Sequence, residues 1–163
     1  MTTRKESEKK HAYTMGDFLY GMLLVSVPLF SASAGALKES AALLIVWLMV
    51  CNLAAVIAYR FFCTRCPHYG GKDGKTRCLF IWGIPAVFQR QEGAYTKKEL
   101  AISAITLVVV TLLPLTWLRM APSLLLVYVL SSTVAAASIR RSECGRCVHT
   151  HCPSNHAGRV QFE

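Results

Sequence analysis

The residues best equipped to do chemistry are Cys63-Thr64-Arg65-Cys66-Pro67-His68, and their pattern returns 81 positions later as Cys144-Gly145-Arg146-Cys147-Val148-His149. The chain writes C-x-R-C-x-H twice. Two thiolates separated by two residues can grip one metal ion from a single backbone turn, and two such knuckles supply the four sulfurs of a closed tetrahedral site. Each knuckle has a further cysteine beyond it: Cys78 lies twelve residues after Cys66, and Cys152 lies five after Cys147.

Three arrangements follow. In one, Cys63, Cys66, Cys144 and Cys147 bind a single ion. In another, each half builds its own site, from Cys63, Cys66, Cys78 and His68 and from Cys144, Cys147, Cys152 and His149 or His151. The third is an iron–sulfur cluster, for which Cys66-Pro67 and Cys152-Pro153 share the cysteine–proline ending of ferredoxin runs without their spacing. Zinc and an iron–sulfur centre are left undecided. An imidazole two residues past a ligand cysteine can instead point at a sulfur or a headgroup phosphate, and His11 and His156 read as solvated. Arg65 and Arg146 would offset the charge of a thiolate site or face anionic headgroups.

The elements that must carry these knuckles are apolar. Hydrophobic residues make up 53% of the 163, and the mean hydropathy of +0.38 exceeds that of a water-facing globule. Segments 18–37, 40–59, 100–118 and 120–139 contain no Asp, Glu, Lys or Arg. At about 1.5 Å per residue, some 20 residues of helix cross a hydrocarbon core roughly 30 Å thick. None of the four shows the polar stripe of a helix in a soluble bundle. The expected fold is an all-α membrane protein of four transmembrane helices, arranged as two tandem-repeat hairpins with a cytoplasmic Cys-rich head.

Of the 18 Lys and Arg, sixteen lie before the first span, between the second and third, or after the fourth; only Lys38 and Arg119 lie in the other connections. That bias places both termini and both knuckles in the cytoplasm, with the chain in the plasma (inner) membrane, and it explains the net charge of +9 without nucleic acid. Thiols stay reduced there, and clustered cysteines bind metal more often than they form disulfides. The first span starts too late and runs too long for a cleaved signal peptide.

Residues 1–16 read as a mobile polar tail, 17–98 as the first hairpin with its knuckle and interfacial loop, and 99–163 as the second hairpin with its Cys-rich tail. Superposing 17–68 on 98–149 without gaps gives 13 identities in 52 positions, among them Arg60, Cys63, Arg65, Cys66 and His68. Lys38 falls on Arg119, one tight turn on the other. Both units have an even number of spans, so the copies share one orientation and a pseudo-twofold axis along the membrane normal.

Local signals fill in the rest. Thr14 with Asp17, and Thr96 with Glu99, have capping-box spacing. Pro28 and Pro114 should bend their helices, and Pro122 suits a first turn. Small residues at Ser31, Gly35, Ala135 and Ala136 should form the packing face between hairpins. Asn52, in mid-span, needs a partner and should face another helix, whereas Cys51 reads as a small core hydrophobe. Gly70 to Thr76 fails as a phosphate loop and reads as a flexible basic turn over headgroups. The apolar stretch 79–88, broken by Gly83 and Pro85, is too short to span. It should lie in the interface or cap the bundle, with Trp82 at headgroup depth, or else dock Phe80, Trp82 and Phe88 into a partner.

Three functions fit these residues: a metal-centre protein acting as redox carrier or accessory subunit through a cytoplasmic protein partner, a structural zinc clamp in a membrane assembly, and a soft-metal transporter. In size, span count and paired cysteines the chain resembles the small mercury-uptake membrane proteins. Those carry a cysteine pair within a span, where this chain has Cys51 alone. Quinone-reducing enzymes of the vitamin K reductase type are similar in their four helices and paired cysteines, but their C-x2-C works at the opposite face. No serine, histidine and acid constellation suggests a hydrolase, and the spans carry no charged residue to mark an ion path, so catalysis by this chain itself is not expected.

Overall fold

The computed structural model describes residues 13–71, 73–91, 93 and 95–144. Its helices are α1 (Met15–Glu39), α2 (Ala41–Phe61), α3 (Lys97–Leu112), α4 (Leu115–Leu118) and α5 (Pro122–Ser138). Four stretches are long and apolar enough to cross a membrane, Met15–Glu39, Ala41–Arg65, Lys97–Leu118 and Pro122–Ser142. They carry the four segments expected. An antiparallel pair of strands, β1 (Lys75–Arg77) and β2 (Trp82–Pro85), lies between α2 and α3. An all-α reading did not contain it.

The helix ends follow their caps. Asp17 N–H donates to Thr14 Oγ1 at 3.3 Å while the Thr14 N–H donates to Asp17 Oδ2 at 2.8 Å, and Thr96 with Glu99 repeats that reciprocal pair. Ser40 serves two helices: its extended backbone stops α1, its N–H donates to Ala36 O at 3.0 Å, and its hydroxyl accepts from Leu43 N–H at 3.1 Å. One residue makes the turn, and Lys38 and Glu39 belong to the last turn of α1. Pro28 sits inside α1, which runs on past it, whereas Pro114 separates α3 from the single turn of α4. Pro122 opens α5.

Helix α1 packs along α2 and α5, and α2 packs along α3. Their shared core is Ala32, Ala36, Trp47, Trp117, Leu118 and Tyr128. Lipid tails are as apolar as leucine, so close packing rather than burial from water must hold such helices together. Gly35 shows this closeness, because a Cβ there would lie 2.6 Å from Leu118 Cδ2. The Trp47 and Trp117 rings meet edge to face at 5.6 Å, and Trp117 Nε1 donates to Ala32 O at 3.0 Å.

Ser31, Gly35 and Ala135 are buried as the packing face requires, but Ala136 is exposed; one residue further round a helix points some 100° away. Asn52 also departs from expectation. It is exposed, and its amide donates to Leu48 O of its own helix at 2.8 Å. The outer surfaces are apolar, with Phe30, Met49, Leu107 and Leu126 among many exposed large side chains, as a lipid solvent would demand.

Candidate functional site

The first knuckle is the way α2 ends. After Phe61 the chain tightens into a 3-10 turn, Cys63–Arg65, closed by Cys66 N–H on Cys63 O at 2.9 Å. Cys66 itself is extended, the conformation that a following proline imposes on its predecessor. Thr64, wholly buried, donates its hydroxyl to Arg60 O at 2.9 Å. The C-x2-C spacing thus sits on a fixed turn at the end of a helix long and apolar enough to cross a membrane.

The described part of the connection that follows folds back over that turn, where Gln91 N–H donates to Thr64 O at 3.1 Å. Lys75 pairs with Pro85, Thr76 with Ile84 and Arg77 with Trp82, the register slipping between Thr76 and Arg77. Gly74, at φ +67°, makes the bend before β1, where its N–H donates to Gly71 O at 2.8 Å and its carbonyl accepts from Ala86 N–H at 2.9 Å. The basic loop is therefore structured on both sides of Lys72. Cys78 opens the turn between the strands, its N–H donating to Ile81 O at 2.8 Å. Next to it, Arg77 N–H donates to His68 O at 3.2 Å and ties the sheet to the knuckle.

Three tyrosines lock this head. Tyr69, 1% exposed, donates its hydroxyl to Phe88 O and accepts from Phe88 N–H, both at 2.9 Å. Burial holds its phenol above the ordinary range, outweighing the opposite pull of the Phe88 bond, so it stays a neutral donor at physiological pH. Tyr59 donates to Pro85 O at 2.8 Å, and Tyr95 donates to Phe62 O at 3.0 Å. Phe88 lies beside the Tyr59 ring, with centroids 5.8 Å apart, so it serves the head's own packing.

The start of α1 covers the head from another side. Trp82 lies 6.3 Å from Phe18, Leu79 fills the space that a side chain at Gly21 would need, and Tyr13 meets His68 edge to face at 4.8 Å. The apolar stretch around Trp82 packs on the start of α1, while Phe80, Ile84 and Val87 stay exposed.

Cys63, Cys66 and Cys78 all belong to this head, are half-buried and carry thiols. Cys63 and Cys78 are 15 positions apart in the chain, and the Arg77 N–H bond to His68 O sets the turn that Cys78 opens beside the knuckle. His68 is buried beneath Tyr13. Cys144, also half-buried, ends the π-helical turn Ile139–Cys144 that continues α5. Arg146, Cys147, His149, His151 and Cys152 lie outside the described residues, as do His11 and His156. Among the described residues, no three His, Cys, Asp or Glu side chains converge as metal ligands do.

Arg65 has a different neighbour from those expected. Its Nε donates to Glu99 Oε2 at 2.9 Å and its Nη2 to Glu99 Oε1 at 3.1 Å, both side chains being 11% exposed. This is the forked guanidinium–carboxylate geometry. It joins the first knuckle to the first turn of α3, so one residue caps a helix and anchors the head. The sequence marked Glu99 as a cap only. Nor did it single out Tyr59, Tyr69 or Tyr95, of which only Tyr59 ends a charge-free run.

No protein family, curated protein or solved structure matches this chain, so its chemistry rests on its own residues.

Proposed function

We propose that this chain is a membrane-anchored metal-centre protein whose paired C-x2-C knuckles hold zinc or an iron–sulfur centre, acting as a redox or accessory subunit for a protein partner. The observation that carries the proposal is the folded head, in which the Arg77 N–H bond to His68 O sets neighbouring Cys78 beside the knuckle that holds Cys63 and Cys66. A fixed turn that spaces two thiols, with a third at the end of a strand bonded to it, is how a small domain readies sulfur ligands for a soft or borderline metal. Further ligands would come from the second knuckle and the tail beyond it. The sixteen-to-two distribution of basic residues supports a cytoplasmic head and cytoplasmic termini in the plasma (inner) membrane.

Tandem duplication belongs to the same proposal, and packing supports it. With the offset of 81, Trp47 corresponds to Tyr128 and Ala36 to Trp117, and all four lie in the core. A twofold relation would carry the α1–α5 contact onto the α3–α2 contact, and both exist. Asn52 corresponds to Thr133, and each bonds the carbonyl one turn back, Leu48 O at 2.8 Å and Val129 O at 2.7 Å.

Metal per chain on anaerobically purified protein tests the proposal. Brown colour with iron and acid-labile sulfide selects the redox centre, and colourless protein with zinc selects the structural ion. If both knuckles share one ion, Cys63→Ser or Cys144→Ser alone abolishes tight binding and the double variant adds little. If each half holds its own, each single change leaves about half the metal, and Cys78→Ser or Cys152→Ser counts as fully as either. Full metal in the double variant, or labelling of these cysteines in intact cells by a membrane-impermeant thiol reagent, would sink the site or its cytoplasmic placement respectively.

A further inference from the structure

We propose that α2 carries a homodimer contact centred on Asn52. The residue lies near the middle of the charge-free run 40–59, on the outer surface of the bundle. Its single hydrogen bond among the described residues is the one to Leu48 O. A carboxamide offers two N–H donors and an oxygen with two lone pairs, so one donor and the oxygen are left facing hydrocarbon. Neither water nor lipid tails can satisfy them there, and polar groups unpaired at that depth are costly.

Three threonines on the other long helices leave no donor unpaired. Thr106, Thr111 and Thr133 each donate their one hydroxyl hydrogen to a carbonyl of their own helix, at 2.8, 2.7 and 2.7 Å. Thr133 corresponds to Asn52 in the second hairpin. Thr133 on α5 thus has no donor left over, while Asn52 on α2 has one.

Copies of one chain enter a membrane in one orientation, so a twofold axis along the normal sets each residue at the depth of its own counterpart. Asn52 would meet Asn52, and a carboxamide is self-complementary because each amide can donate to and accept from the other. The flanking surface suits a helix seam. Ile45, Leu48, Met49 and Val56 are exposed on the same side at three- and four-residue spacing, and exposed Ala55 lets two backbones approach. A single asparagine in an apolar seam also fixes register and favours pairs over larger assemblies. The contact stands apart from the metal proposal.

The test is energy transfer between full-length copies labelled at one terminus with donor or acceptor and reconstituted together in phosphatidylcholine vesicles. Wild-type protein should transfer energy that falls on lipid dilution. Asn52→Leu, nearly isosteric, should weaken association about tenfold without lowering the melting temperature. Asn52→Gln, which keeps the amide, should stay closer to wild type, and Ala55→Trp should weaken pairing by holding the helices apart. Absence of transfer in wild-type vesicles, or undiminished transfer in Asn52→Leu, overturns the proposal. So does unfolding of Asn52→Leu, since an outward amide is not needed by a single copy.

Discussion

Tyr69 and Trp117 are both aromatic, nearly inaccessible and bonded to a main-chain carbonyl, yet they serve regions assembled on different terms. Around Trp117 the helices satisfy their own backbones, and what remains is fit: Ala32, Gly35 and Ala36 clear the space that Trp117 and Leu118 occupy. Around Tyr69 little of the backbone is in helix or sheet. Carbonyls of Phe62, Pro85 and Phe88 are met by tyrosine hydroxyls, and the knuckle is tied to α3 by the Arg65–Glu99 fork. A spanning bundle therefore depends on the absence of side-chain volume at a few positions, and the head on the presence of a few polar atoms. Charge and hydroxyl changes should injure one, and added methylenes the other.

The largest effect should come from the fork. Removing one member of a buried pair leaves the other uncompensated, at a cost of about 3–5 kcal/mol, and the slight exposure here points to the lower end. Arg65→Met should thus lower stability by roughly 3 kcal/mol in thermal melts of the detergent-solubilised protein. A double change of Arg65→Met with Glu99→Gln should cost less than the two singles summed. Strict additivity would mean that the two side chains do not act as a pair.

Gly35→Leu should come next, because its new side chain must displace Leu118 and the nearby Trp117 ring. Overpacking of a close-packed site costs about 1–3 kcal/mol. An unchanged melting temperature would show that α1 and α4 separate more freely than their contact implies.

The smallest and sharpest comparison lies between the two tryptophans. Trp117 Nε1 has an acceptor in Ala32 O, whereas Trp47 Nε1 is buried with none among the described residues. Both changes to phenylalanine shrink the core alike, but only Trp117→Phe gives up a hydrogen bond. It should cost more than Trp47→Phe by about 1 kcal/mol, read from paired melts. Equal losses would indicate that indole hydrogen bonding adds nothing to this bundle.

Local arithmetic made much of this protein legible in advance. Four charge-free runs of bilayer length, Thr14 and Thr96 with acids three residues on, and Pro122 at a helix start are each statements about one segment, and each segment behaves accordingly. The C-x2-C turn of Cys63 and Cys66 belongs here too, since spacing and Pro67 dictate its backbone. Tertiary structure alone decided what meets what. Asn52 could be read as polar and mid-span, but not as outward-facing, because the hydropathy of α2 is nearly uniform round its circumference. The strands β1 and β2 are three and four residues long, and Gly83 and Pro85 mask the second. The partners of Arg65 and Tyr69 lie 34 and 19 residues away across a loop with no periodicity. Such contacts form only once α2 and α3 stand side by side and bring the ends of the loop together, and no residue pattern within either helix encodes that distance.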